Sequence, residues 1–137
     1  MERSSELEEL SRRWMGSMVE GDAAAFEGLF DNDDNVLFIG SDPQEWWDDR
    51  GKIEAAFRAQ LPEMKGKIQV TLNDVVAYAE DGWGWAALNS AFSAGGHDSS
   101  FRVSMVFRRR DDGWKIVHGH ASAGVPNEET VGIKLTT

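Results

Sequence analysis

Apolar residues recur every three to four positions in the first half of the chain and every second position in most of the rest. Leu7, Leu10, Trp14 and Met18 therefore fall on one face of a helix. It starts with Ser4 or Ser5 as N-cap, carries Glu6, Glu8 and Glu9 where the helix dipole favours anions, and ends at Gly21-Asp22. Asp22 is placed to cap a second helix, Ala23 to Phe30, with Phe26, Leu29 and Phe30 facing inward. After the acidic turn Asp31 to Asp34, Asn35 to Gly40 has the composition of a buried strand. Ser41 to Asp49 is irregular, with Pro43 barring a central strand. A third helix runs from about Arg50 to Leu61, apolar at Ile53, Ala56, Phe57 and Leu61, and Pro62 stops it. Period-two runs follow: Ile68 to Tyr78, Trp83 to Ala94, Phe101 to Arg109 and Trp114 to Ser122. Glu80-Asp81-Gly82, Gly95-Gly96-His97-Asp98 and Asp111-Asp112-Gly113 separate them.

Helices followed by a meander, with a short strand between helices, make an α+β layout. The expected shape is a cone: a curved, mostly antiparallel sheet wrapped around three N-terminal helices. Residues 1–137 are expected to form one domain, with a core of about 5–126 and a tail of 127–137 that is a flexible arm or a last edge segment. Met18, Phe26, Phe38, Phe57, Leu61, Asn89, Met105 and Phe107 are expected on the inner face.

Composition removes several classes of function. A net charge of −10 argues against nucleic acid and anionic membrane surfaces as partners, because both require a basic face. The chain has no cysteine, so disulfides, thiol catalysis and thiolate metal sites are excluded. Met1 to Ser5 lacks the layout of a signal peptide, and no apolar run approaches the roughly 20 residues of a membrane span. A cytoplasmic protein is expected.

His118 and His120 are the candidates for acid–base chemistry, since an unperturbed imidazole titrates near neutral pH. They share one face of the last strand, and the preceding turn decides which. A two-residue Asp112-Gly113 loop pairs Phe107 with His118 and Met105 with His120, beside the apolar cavity face. A three-residue Asp111-Asp112-Gly113 loop pairs Phe107 with Val117 and Met105 with Gly119, and turns the histidines outward. The three-residue loop is preferred because it keeps Phe101, Val103, Met105 and Phe107 with Val117, Gly119 and Ala121. Structural histidines at a sheet face or subunit interface are then preferred over catalysis. No metal site is expected: His97 is the only other histidine and nothing supplies a third ligand.

Among carboxylates, Asp42, Asp48, Asp49 and Asp74 are available for isomerase-like proton transfer. Asp48 and Asp49 stand where a helix cap belongs, and the face of Asp74 is open. Trp85, Ala87, Asn89 and Ala91 are read as the inner face of the second long strand, with Asn89 its only strong polar group. An amide orients a carbonyl or hydroxyl but does not serve as a general base. Of the six tryptophans, Trp14 on the first helix and Trp46 at the cavity mouth are placed near a ligand. Arg108-Arg109-Arg110, beside two aspartates in an acidic chain, is read as a solvated charge cluster.

Two strings carry a resemblance: Phe38-Ile39-Gly40-Ser41-Asp42-Pro43-Gln44-Glu45-Trp46-Trp47, and Asp112-Gly113-Trp114-Lys115-Ile116-Val117-His118. With the order of elements, they resemble the nuclear transport factor 2-like superfamily and, within it, the SnoaL-like group. The resemblance implies a cystatin-like roll around a cavity. It fixes no activity, since the superfamily holds isomerases, dehydratases, cyclases and non-catalytic domains. The end of the chain, Trp114 to Ser122, is also similar to the association domain of calcium/calmodulin-dependent protein kinase II. That domain's cavity arginines fall, by this match, on Asn89, Met105 and Ala121, so an apolar ligand is favoured over an anion.

The resulting expectation is a small-molecule-binding protein without cofactor or metal. Its cavity is lined by Trp14, Phe38, Trp46, Phe57, Leu61, Asn89, Met105 and Phe107, and its ligand is a small hydrophobic or amphipathic molecule. The alternatives are an isomerase, cyclase or dehydratase acting on a hydrophobic carbonyl compound by proton transfer, and a non-catalytic oligomerisation domain. A homodimer is expected, because the outer sheet face would carry Val106, Ile116 and Trp114.

Overall fold

Each of the first three helices starts at its capping side chain in a computed structural model that describes residues 1–137. Helix α1 (Ser5–Glu20) begins at Ser4, whose Oγ accepts the Leu7 N–H at 3.2 Å. Helix α2 (Ala23–Gly28) begins at Asp22, which accepts from Ala25 at 3.1 Å. Helix α3 (Arg50–Met64) begins at Asp49, which accepts from Lys52 at 2.7 Å. These bonds satisfy amide donors that the first turn of a helix leaves unpaired. Helix α2 is shorter than expected, because Phe30 leaves it to bridge Ile116. Pro62, expected to end α3, instead lies inside its last turn. A proline there forgoes only the bond to the carbonyl of exposed Arg58, and the Lys65 N–H closes the turn onto Leu61 at 3.0 Å.

The strands are β1 (Glu2–Arg3), β2 (Leu37–Ile39), β3 (Trp46–Trp47), β4 (Ile68–Glu80), β5 (Trp83–Ala94), β6 (His97–Arg110) and β7 (Gly113–Ala123). They form one sheet in the order β1-β4-β5-β6-β7-β2-β3. Only β2 and β7 run parallel; every other pairing is antiparallel. The α+β architecture is the expected one, helices packed against a large, mostly antiparallel sheet. The two-residue strands β1 and β3 are too short to leave an alternation in the sequence. Strand β6 starts at His97 rather than Phe101, because the turn is only Gly95-Gly96. A four-residue helix, α4 (Asn127–Thr130), lies within the tail.

One face of the sheet carries the helices and the core. Leu7, Trp14, Met15 and Met18 of α1 pack with Phe26, Phe57 and Leu61 against Ala77, Ala86, Leu88, Val103, Met105, Phe107 and Ile116. The aromatic centre is continuous: Trp14 lies 5.7 Å from Phe26 and 5.8 Å from Phe38, and Phe26 lies 4.3 Å from Phe57. No helix is long and apolar enough to cross a membrane.

Two corrections concern which residues face inward. On β5 the buried set is Gly84, Ala86, Leu88 and Ser90, so Trp85, Ala87, Asn89 and Ala91 face outward. Near the last turn, Arg110 pairs with Gly113, so the loop is Asp111-Asp112 and neither expected loop is the one formed. An extra residue at Val117 then shifts the register by one, and beyond it Met105 pairs with Gly119 and Val103 with Ala121. This is the pairing the three-residue loop was to give. The bulge places Ile116 and Trp114 on the core side, fully or nearly fully buried, instead of on the outer face.

Candidate functional site

At the end of the sheet away from the β4–β5 turn, α1, α3 and the strands leave a cavity of about 280 Å³. Twelve of its sixteen lining residues are hydrophobic, among them Trp14 and Met18 of α1, Phe57 and Met64 of α3, and Phe101 and Val103 of β6. Small Ala121 on β7 helps leave the space, and Phe92 and Phe101, 4.7 Å apart, form an aromatic wall.

Of the residues expected at the site, Trp14, Phe38 and Phe57 line this cavity. Leu61, Met105 and Phe107 are buried in the core and are not among its lining residues. Trp46 is 58% exposed, and its neighbour Trp47 faces the cavity in its place. The hairpin explains this: Phe38 pairs with Trp47 and Ile39 with Trp46, so Trp47 shares the inner face with Phe38. Asn89 is removed from the site altogether. It stands on the outer face, where its Nδ2 donates to Asp74 Oδ2 at 3.2 Å. The positional match with the association-domain arginines therefore fails at Asn89, while Ala121 lies in the cavity wall.

His118 and His120 both face away from the cavity. His118 Nδ1 lies 2.9 Å from the Leu37 carbonyl oxygen, so Nδ1 carries the proton and helps pin β2 to β7. His120 is exposed opposite Ser104. Asp48 is exposed and pairs with Lys52 at 2.6 Å, which holds its carboxyl below the usual carboxylate range. Asp49 caps α3. The three arginines have separate partners. Arg108 lies over Trp83 and Arg109 over Trp114, while Arg110 grips Asp31, only 4% exposed, through Nε and Nη2. That last pair ties the loop before β2 to the end of β6.

The ionisable group that does line the cavity is Glu45, which the sequence reading passed over. Its Oε1 accepts the Asp42 N–H at 2.9 Å, and its Oε2 accepts from Gln60 Nε2 at 2.8 Å. Ser41 and Gln60 complete the polar edge. The signal was present in the string Gly40-Ser41-Asp42-Pro43-Gln44-Glu45. Pro43 serves a four-residue hairpin loop, and the Gly40 N–H donates to the Glu45 carbonyl at 2.8 Å. With Phe38 facing in, period two places Glu45 on the same side as Trp47. Trp14 Nε1 is the one buried side-chain nitrogen or oxygen without a hydrogen-bond partner, but it is sealed from the cavity with no appreciable accessible area. The accessible polar groups of the lining thus lie at one edge.

The fold is shared with solved structures at low sequence identity. An NTF2-like protein of unknown function from Pseudomonas putida KT2440 is 17% identical with a TM-score of 0.79, over 96% of this chain and 92% of that one. A nuclear transport factor 2-like superfamily protein from Salmonella enterica serovar Typhimurium LT2 is 21% identical with a TM-score of 0.76, over 88% and 89%. A candidate calcium/calmodulin-dependent protein kinase II association domain from Xanthomonas campestris is 22% identical with a TM-score of 0.69, over 86% and 85%. None of the curated proteins matches the sequence. The SnoaL-like domain model matches residues 7–127, and the chain therefore belongs to the SnoaL-like domain family.

Proposed function

We propose that residues 1–137 act as one small-molecule-binding domain that takes a small hydrophobic or amphipathic ligand into the cavity between α1, α3 and the sheet. The observation that carries this is a space of about 280 Å³ with twelve apolar lining residues and its accessible polar groups at one edge. That is the usual construction of a ligand site: apolar walls supply affinity and a few polar groups supply orientation. Octanol, followed by calorimetry or ligand-observed NMR, tests it. The chain should bind octanol, and Ala121→Phe, which fills the cavity from its wall, should weaken binding at least about tenfold while the fold persists. His118→Ala and His120→Ala should leave affinity unchanged, because both imidazoles lie across the sheet. Equal affinity in Ala121→Phe would place the site elsewhere.

Proton transfer on a hydrophobic carbonyl compound is favoured by one observation, the carboxylate of Glu45 in the cavity lining. No second ionisable residue lines the cavity, and the Gln60 amide that could stabilise an oxyanion donates instead to Glu45 Oε2 at 2.8 Å. The lining therefore favours binding without turnover.

A homodimer fits the same picture. The outer face carries Trp83 and Trp85, 50% and 38% exposed, with Tyr78 5.3 Å from Trp85, and Val76 and Val106 beside them. A second copy would cover this aromatic patch by an isologous contact. Light scattering should return a dimer for the native chain and a monomer for Trp85→Glu. A native monomer at micromolar concentration would dismiss it.

A further inference from the structure

We infer that the cavity selects its ligand by the head group, taking a cationic or hydroxyl-bearing apolar molecule and rejecting the matching carboxylate. The inference deepens the ligand-binding function proposed above and rests on it. Glu45 is the only ionisable residue in the cavity lining, and no lysine, arginine or histidine joins it there. An anionic head group would meet that carboxylate with no cationic side chain in the lining to offset it. An ammonium or hydroxyl group would instead find an acceptor already in place.

Two hydrogen bonds hold that acceptor, and Gly40 leaves it room. The Asp42 N–H fixes Oε1 at 2.9 Å, and Gln60 Nε2 fixes Oε2 at 2.8 Å. Each carboxylate oxygen accepts about two hydrogen bonds, so each retains a free lone pair for a ligand donor. A Cβ at Gly40 would lie 2.6 Å from the Glu45 Cβ and Oε1 and 2.8 Å from its Cδ, so the side chain lies across residue 40 only because that residue is glycine. A carboxylate held in this way loses little freedom when a ligand binds, which raises its contribution to affinity.

Octylammonium, octanol and octanoate share one tail and differ in the head, so calorimetry with the three separates the possibilities. Octylammonium should bind about ten- to hundredfold tighter than octanoate, the range expected for a hydrogen bond to a charged group. In Glu45→Gln that preference should collapse to within a few-fold, while octanol binding changes little. Gly40→Ala keeps the charge but displaces the carboxylate, and it should reduce the preference in the same direction. Octanoate binding as tightly as octylammonium to the native chain would overturn the inference and leave the cavity function standing. A preference unchanged in both variants would also overturn it. If none of the three compounds binds, the cavity function falls and the inference with it.

Discussion

Phe38→Ala should lower the free energy of unfolding by about 3–5 kcal/mol, the range for removing a fully packed aromatic side chain. Phe38 is 2% exposed and sits on β2, a strand of only three residues. Four rings surround it: Phe57 at 5.7 Å, Trp14 at 5.8 Å, Phe30 at 6.0 Å and Trp47 at 6.2 Å. Its ladder partners contribute little rigidity, since β3 has two residues and the β2–β7 pairing covers only Leu37 to Ile39. The side chain, more than the backbone, therefore holds β2 and the hairpin bearing Glu45 on the sheet. Loss of the ring opens a void continuous with the cavity, and walls belonging to α1, α3 and β7 limit its collapse. Such a loss is a large share of the roughly 5–15 kcal/mol that stabilises a typical domain. Urea unfolding of the two proteins measures it. A difference under about 1 kcal/mol would mean that the ring is not packed as described.

The helical half of the molecule was legible because its signals are local. Ser4, Asp22 and Asp49 cap the helices to which their positions assign them, and Leu7, Trp14 and Met18 are buried on the face that their spacing selects. The existence of the four long strands, β4 to β7, was also legible from the period-two runs and their turns. The facing of β5 was not. Trp83, Trp85, Ala87, Asn89 and Ala91 form one set, and Gly84, Ala86, Leu88, Ser90 and Phe92 form the other; side-chain bulk favours the first as the core. Close helix–sheet packing reverses that choice. A Cβ at Gly84 would lie 2.4 Å from Leu7 Cδ1, so α1 approaches β5 at a distance only small residues allow. The expected role of Asn89 depended on that choice and was lost with it.

On β7 the inward positions at Gly119 and Ala121 were legible, but the Val117 bulge left no trace in the alternation. It moved Ile116 and Trp114 from one face to the other, since one inserted residue exchanges the two faces of a strand. The dimer expectation now rests on Trp83, Trp85 and Tyr78 instead. Glu45 was missed for a related reason. A hairpin across Pro43 pairs residues too few to show periodicity, although its turn chemistry was there to be read.

Gly119→Ala should cost about 1–3 kcal/mol, the usual penalty for forcing an extra carbon into a packed core. The sign carries the information. Gly119 lies in a regular strand, where alanine is ordinarily the more stable residue by roughly 0.5–1 kcal/mol. Here a Cβ would lie 2.5 Å from Cε2 and 2.7 Å from Cδ2 of Phe38, its partner across the parallel β2–β7 pairing. The surrounding rings prevent Phe38 from retreating. In the Phe38→Ala background that obstacle is gone, and Gly119→Ala should become neutral or stabilising. The two substitutions are therefore coupled by about 1–3 kcal/mol, as expected for residues in direct contact. Urea unfolding of the native chain, both single variants and the double variant closes the cycle. Additive costs would show that Phe38 does not lie over Gly119, and with that the docking of β2, the wall it gives the cavity and the placement of Glu45 would all have to be redrawn.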